Sequence, residues 1–295
     1  MWGAFFILPG MRKEGPIEGD FIMKLNKVCA VCYSATGNTK YIVDEIAACI
    51  GETLGVPFEV HDFTRPKDRK SVRSFREREL VVFGTPVYAG RVPNKILPAV
   101  QTFFKGNGAL AVPVVTFGNR SYDNALIELR NELENQGFHT IAGGAFVAEH
   151  AFCGRLAPGR PDKEDRMQIH RFGVQVADKI MGMTKIPERI PVRGTEPIPA
   201  YYRPLGIDGK PAVFLKAKPK TREACTDCKL CAKVCPMGSI DYDHPGNVTG
   251  ICIKCQACVK ACPAEAKYFD DEAFLSHVAM LEHNYIRRAE NEIFV

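Results

Sequence analysis

Apolar and polar positions in residues 24–181 follow two alternating periods. Short apolar runs at 27–33 (KVCAVCY), 58–63, 80–84 (LVVFG), 109–117 and 138–148 read as strands. Between them the period lengthens to that of a helix. In 39–50 (TKYIVDEIAACI), Ile42, Ile46, Cys49 and Ile50 share one face. Residues 94–104 predict a helix with Pro98 in its early turns. In 122–136, Tyr122, Leu126, Leu129 and Leu133 form a stripe that stops at Gly137. The segment 161–181 carries Ile169, Phe172, Val176 and Ile180 on one side. Pro161 takes its first helical position, with Asp162, Glu164 and Asp165 behind it. Five strands with intervening helices predict an α/β fold, a doubly wound five-stranded parallel sheet.

After residue 183 the pattern changes. Residues 184–220 hold seven of the chain's 20 prolines, so this connector is extended and stiff. Ile207-Asp208-Gly209-Lys210 within it suggests a small hairpin. The connector also holds eight Lys or Arg against three acids, which matches the whole net charge of +5. It has no basic helical stripe and no zinc-finger or RNA-binding signature, so a nucleic-acid partner is not expected. Phe274, Val278, Leu281 and Tyr285 predict a packing helix over 271–290. No apolar run is long enough to span a membrane. The start, MWGAFFILPGM, lacks a basic flank and a cleavage site, so 1–23 is read as a tail, with Met23 as an alternative start. The expected division is 1–23 tail, 24–183 first domain, 184–220 connector, 221–270 cysteine-rich domain and 271–295 C-terminal helix.

Eight of the 12 cysteines lie between 225 and 262. Cys225-x2-Cys228-x2-Cys231-x3-Cys235-Pro236 recurs 27 residues later as Cys252-x2-Cys255-x2-Cys258-x3-Cys262-Pro263. This is the two-cluster iron–sulfur spacing, in which the fourth cysteine of each run serves the other cluster. The expected ligand sets are Cys225, Cys228, Cys231 and Cys262 for cluster one, and Cys252, Cys255, Cys258 and Cys235 for cluster two, each a [4Fe–4S] cluster. A structural zinc needs neither the third cysteine nor the proline. The repeat resembles the 2[4Fe–4S] ferredoxins over about 221–270, a small α+β domain. Many of those are strongly acidic, whereas here six bases balance six acids.

In an open α/β sheet, ligands bind beyond the carboxyl ends of the strands. The loops there read Ser34-Ala35-Thr36-Gly37-Asn38-Thr39, Thr85-Pro86-Val87-Tyr88-Ala89-Gly90-Arg91-Val92-Pro93 and Gly118-Asn119-Arg120-Ser121-Tyr122-Asp123. The first leads into a helix and suits either a phosphate or an ordinary cap. Neither a Walker A loop nor a GxGxxG fingerprint occurs. Cys29-x-x-Cys32 looks like a redox dithiol, but on a strand its side chains face opposite ways, about 10 Å apart at the backbone, too far for a disulfide. Cys49 reads as a packing residue.

Together the three loops resemble those that bind FMN in the flavodoxin family, over about 24–181. The resemblance implies that Ser34, Thr36, Gly37, Asn38 and Thr39 hold the phosphate. It implies that Thr85, Pro86, Tyr88, Ala89, Gly90, Gly118 and Asn119 surround the ring. Tyr122 either joins them or is the first core residue of its helix, and Arg91 either joins them or is a solvated charge. The order of the halves resembles the EFR1 family ferredoxins, and the segment from His150 to Pro161 also fits that family. His150 and Cys153 are candidates for the ring edge or for redox chemistry, against a reading with no chemistry.

The expected function is a cytoplasmic, anaerobic electron-transfer protein relaying electrons between FMN and two [4Fe–4S] clusters. Its partners would be redox proteins, with a homodimer as one arrangement and no catalytic residue required. The alternative is a flavin-dependent reductase acting on a small substrate. A redox-sensing module lacks a visible effector element.

Overall fold

The computed structural model describes residues 24–295. The tail read at 1–23, with its alternative start at Met23, lies outside the described residues. Strands β1 (Lys27–Cys32), β2 (Phe58–Asp62), β3 (Glu79–Pro86), β4 (Leu110–Phe117) and β5 (Gly143–Val147) run parallel in the order β2-β1-β3-β4-β5. That order is the flavodoxin-like doubly wound topology, whose switch point lies between β1 and β3. Helices α1 (Asn38–Leu54), α2 (Leu97–Phe103), α3 (Ala125–Asn135) and α4 (Lys163–Met181) make the crossovers.

Alternation along the strands divides the apolar residues between two cores. Cys29, Val31 and Tyr33 face the core completed by Leu126, Leu129 and Leu133 of α3. Val28, Ala30 and Cys32 face the core completed by Ile42 and Ile46 of α1 and by Ile169, Phe172 and Val176 of α4. Cys29 and Cys32 therefore belong to different layers, as the period of two requires. Gly173 lets α4 approach α1, because a Cβ there would stand 2.8 Å from Cys49 Sγ.

Several boundaries differ from the sequence reading: the helix read over 94–104 spans Leu97–Phe103, and the C-terminal helix read over 271–290 ends at Asn284. The helix after the β4 loop begins at Ala125, so Tyr122 precedes it. α4 is capped by Asp162, whose carboxylate accepts from the Glu164 and Asp165 amides at 3.0 and 3.1 Å. Pro161 is therefore outside the helix, because the reciprocal Asp162–Asp165 capping box sets the start. The run 138–148 is broken into His139–Thr140 and β5, and the connector docks at the break through Ile190 N to Thr140 O, 3.0 Å.

The cysteine-rich region opens and closes on an antiparallel pair, Lys220–Thr221 with Lys267–Tyr268. Between them lie the short helices α5 (Leu230–Val234) and α6 (Ala257–Lys260). α7 (Glu272–Asn284) follows, capped by Asp271. The chain then returns to the sheet. Strand β6 (Glu292–Phe294) pairs antiparallel with β5 through Gly143–Ala145. Three residues with partly exposed side chains carry no readable period, so this strand had no sequence signal. Among the described residues, no helix is long and apolar enough to cross a membrane.

Candidate functional site

The two cysteine runs repeat in backbone conformation as well as in spacing. Asp227 and Lys254, at matching positions, have φ of 55° and 57°. Lys229 and Gln256, two residues later, have φ of 65° and 64°. Left-handed residues at these points turn successive amides toward the enclosed space, the geometry of an anion-binding nest. Ser239 N donates to Cys235 Sγ at 3.3 Å, and Ala266 N donates to Cys262 Sγ at 3.2 Å, again 27 residues apart.

Cys235, Cys252, Cys255 and Cys258 line one small cavity of about 20 Å³, which joins the fourth cysteine of the first run to three of the second. The buried Lys267 ammonium, bonded to Thr221 Oγ1 at 2.6 Å, acts electrostatically on both Cys231 and Cys262. Among the described residues, no three of the eight sulfurs lie within 4.8 Å of one another. A tetrahedral zinc with Zn–S near 2.3 Å would hold its ligands about 3.8 Å apart. Among the described residues the eight sulfurs hold no such compact set. Burial pushes the Cys255 and Cys258 thiols up to about 12. Thiolates at those positions need a compensating positive charge, which iron supplies. Donor set, nests and spacing all fit an iron–sulfur cluster.

A second cavity, about 230 Å³, lies beyond the carboxyl ends of β1, β3 and β4. Thr36, Asn38 and Thr39 enter it from the first loop, at the N-terminal end of α1. Pro86, Tyr88, Ala89 and Gly90 enter from the second, and Gly118, Arg120 and Ser121 from the third. Gly37 precedes α1 with φ 96°, a conformation that favours glycine, and does not itself line the cavity. Thr39 and Thr116 hydroxyls meet at 2.6 Å on the cavity wall. Hydroxyls and amides at a helix N-terminus, beside an apolar slot, fit a flavin phosphate and ring.

Other residues from these loops are engaged elsewhere. Ser34 Oγ accepts from Lys40 N at 3.0 Å and does not line the cavity. Thr85 is buried in β3 with its hydroxyl unpartnered. Asn119 turns away: its amide donates to Arg287 O at 2.6 Å and to Tyr285 O, and its carbonyl accepts from Ala289 N at 3.2 Å. It ties the chain after α7 to the β4 loop. Tyr122 is fully buried, bonded to Glu292 of β6, with Arg193 stacked 4.2 Å from its ring centroid. Arg91 pairs with buried Glu128, donates to Pro199 O at 2.8 Å and stacks on Tyr201. Neither Tyr122 nor Arg91 lines the cavity: Tyr122 packs at the C-terminal strand and Arg91 holds the connector. Cys153 packs with Leu156, Met280 and Leu281 outside the cavity, and burial raises its thiol.

The far wall joins the expected His150 segment to parts of the connector and α7 that carried no local signal for it. His150, Ala151 and Phe152 follow β5; Tyr202, Pro204 and Phe214 belong to the connector; His277 and Leu281 belong to α7. Phe152 N donates to His150 Nδ1 at 3.1 Å, so the neutral ring carries its proton on Nε2. Burial, with His277, Lys260 and Arg120 nearby, pushes His150 down to about 4. Lys254 and Cys255 of the second cysteine run close the cavity on the remaining side. Two contacts fasten that run's domain to the sheet: Lys260 Nζ to Glu149 Oε1 at 2.8 Å and Arg69 Nη2 to Pro236 O at 2.6 Å.

Residues 224–267 match the family model described as a 4Fe-4S dicluster domain. A comparison with curated proteins finds no match. Among solved structures, the chain is similar to a flavodoxin from the domain Archaea (18% identity, 52% of this chain and 98% of that one, TM-score 0.36). It is also similar to Flavodoxin 2 from Bacillus cereus (17% identity, 52% and 99%, TM-score 0.40). A third is the rubredoxin oxygen:oxidoreductase of Desulfovibrio gigas (13% identity, 54% and 37%, TM-score 0.38).

Proposed function

We propose that this chain is an electron-transfer flavo-iron–sulfur protein, with FMN in the larger cavity and two [4Fe–4S] clusters on the eight cysteines. One observation carries the reading: Cys255, a ligand expected for cluster two, lines the same cavity as the three sheet loops. FMN, when bound, exchanges electrons singly or in pairs, while the clusters exchange them one at a time. The residues of the chain supply position and shielding. Thr36, Asn38 and Thr39 hold the phosphate end, Tyr88 to Gly90 and Gly118 flank the ring, and Phe152 and Phe214 exclude water. Lys260 ties the second cysteine run, and Arg69 the end of the first, to the flavodoxin-like half. Cys228 is exposed while Cys255 and Cys258 are buried. The expected path joins the flavin, cluster two and cluster one, and exposed Cys228 puts cluster one on the side of a redox partner protein.

Anaerobic purification, with FMN, iron and acid-labile sulfide measured per chain, tests this reading. About one FMN and eight irons are expected, the loading of one flavin site and two cubanes. Zinc in place of iron, or filled clusters without flavin, overturns it.

The apolar wall of Phe152, Tyr202, Pro204, Phe214 and Leu281 favours a second reading, a reductase with a small flat substrate beside the flavin. Sustained reduction of small acceptors, without a protein partner, separates it from the carrier.

A further inference from the structure

Glu149, Arg120 and Lys254 line the larger cavity, and each charge is already claimed. Glu149 pairs with Lys260, Arg120 pairs with Asp123 and stacks 4.1 Å over the Tyr202 ring, and Lys254 donates to Leu215 O and Cys252 O. Two imidazoles, His150 and His277, line the same cavity with a nitrogen to spare. Backbone hydrogen bonds decide which nitrogen, and in which form. The Phe152 amide can only donate, so His150 Nδ1 accepts at 3.1 Å and the proton sits on Nε2. The Leu205 carbonyl can only accept, so His277 Nδ1 donates at 2.8 Å and Nε2 keeps its lone pair. Neither Nε2 is bonded within the described residues, and neither is sealed from the surrounding space. One cavity thus holds a fixed donor and a fixed acceptor. Burial pushes both rings below the ordinary imidazole value, so both are neutral at pH 7. The wall around them is aromatic. Phe152 lies 5.0 Å from His150 and 6.3 Å from His277, and Phe214 stacks on His277 at 5.5 Å.

Such a pair selects a ligand by what each candidate would leave unpaired. A carboxylate would set a lone pair against His277 Nε2, with no free cation to hold its charge. A ketone or quinone would satisfy the donor and leave the acceptor empty. An amide offers its carbonyl to His150 and its N–H to His277. We propose that His150 and His277 together recognise the amide edge of a small, neutral, planar ligand, a carboxamide or lactam, seated against the aromatic wall. The inference deepens the reductase reading and rests on it, with the flavin against the sheet loops and the ligand between flavin and wall.

The test titrates full-length, anaerobically purified protein calorimetrically with benzamide, acetophenone and benzoate, and measures flavin per chain on the same sample. Benzamide is expected to bind at least about tenfold more tightly than either other probe, the cost of one buried polar group left unpaired. His277→Phe should weaken benzamide about tenfold and leave acetophenone unchanged, whereas His150→Phe should weaken both. Equal binding of benzamide and benzoate, or no binding of benzamide, overturns the proposal. Benzamide binding only after flavin is removed also overturns it, since the pair would then face the flavin itself. If His277→Phe does not fold, the wild-type ranking of the three probes decides alone. A wild type without flavin sinks the flavin reading, while the same ranking still judges the imidazole pair.

Discussion

Lys260 of α6 donates to Glu149, just past β5, at 2.8 Å, so one ion pair joins the second cysteine run to the edge of the cavity proposed for the flavin. Both side chains are about a third exposed, at 34% and 32%. Such a pair contributes at most about 1 kcal/mol. Its hydrogen bond lowers the Glu149 carboxyl below its ordinary value. The contribution is therefore present above the unfolded carboxylate value and lost as pH falls through the lowered folded one. A double-mutant cycle of Glu149→Gln and Lys260→Met should give a small coupling at pH 7 that fades toward pH 3 and in high salt. A coupling that persists under both conditions contradicts an ionic origin.

Burial of His150 makes a stronger pH demand. Its ordinary value of 6.5 falls to about 4 in the folded chain. The buried neutral form stabilises fully above 6.5, and this contribution is lost as pH falls toward 4. The full swing is about 3 kcal/mol. NMR titration of the labelled imidazole should find a midpoint near 4. His150→Gln should flatten the stability profile between those limits. A midpoint near 6.5 would show that the ring is solvated.

Gly118 gives His150 its place. A Cβ on Gly118 would stand 2.3 Å from His150 Cδ2 and 2.9 Å from its Cα. Backbone contact leaves no cheap escape, so overpacking of about 1–3 kcal/mol is expected. Gly118→Ala should lower bound flavin per chain while iron stays unchanged. Equal loss of both would indicate global unfolding, and loss of neither would remove Gly118 from the flavin wall.

The crossed ligand assignment separates two substitutions that look equivalent. Cys235→Ser should disturb the cluster held by Cys252, Cys255 and Cys258, with which it shares a cavity. Cys262→Ser should disturb the other. Each variant should lose about four irons or turn one cluster into a three-iron form, with EPR showing a different surviving cluster in each. The same surviving cluster in both variants contradicts the crossing.

The strands, the α1 and α4 stripes and the parallel fold were legible because burial on a sheet or helix imposes a period of two or 3.6 on neighbouring residues. The cysteine runs were legible because cluster ligation constrains spacing along the chain. Side-chain direction in the loops was not. Asn119 and Tyr122 sit in loops that resemble flavin contacts, yet each is claimed by the chain after α7, about 170 residues away. The same segment supplies β6, too short to show a period, and α7 supplies His277 and Leu281 to the cavity wall. Local patterns determined the two halves and their chemistry. Only the return of the C-terminal chain, the docked connector and the Lys260–Glu149 contact decided that Cys255 closes the larger cavity. Such contacts depend on how separate surfaces fit together, and that fit leaves no trace in the periodicity of either one.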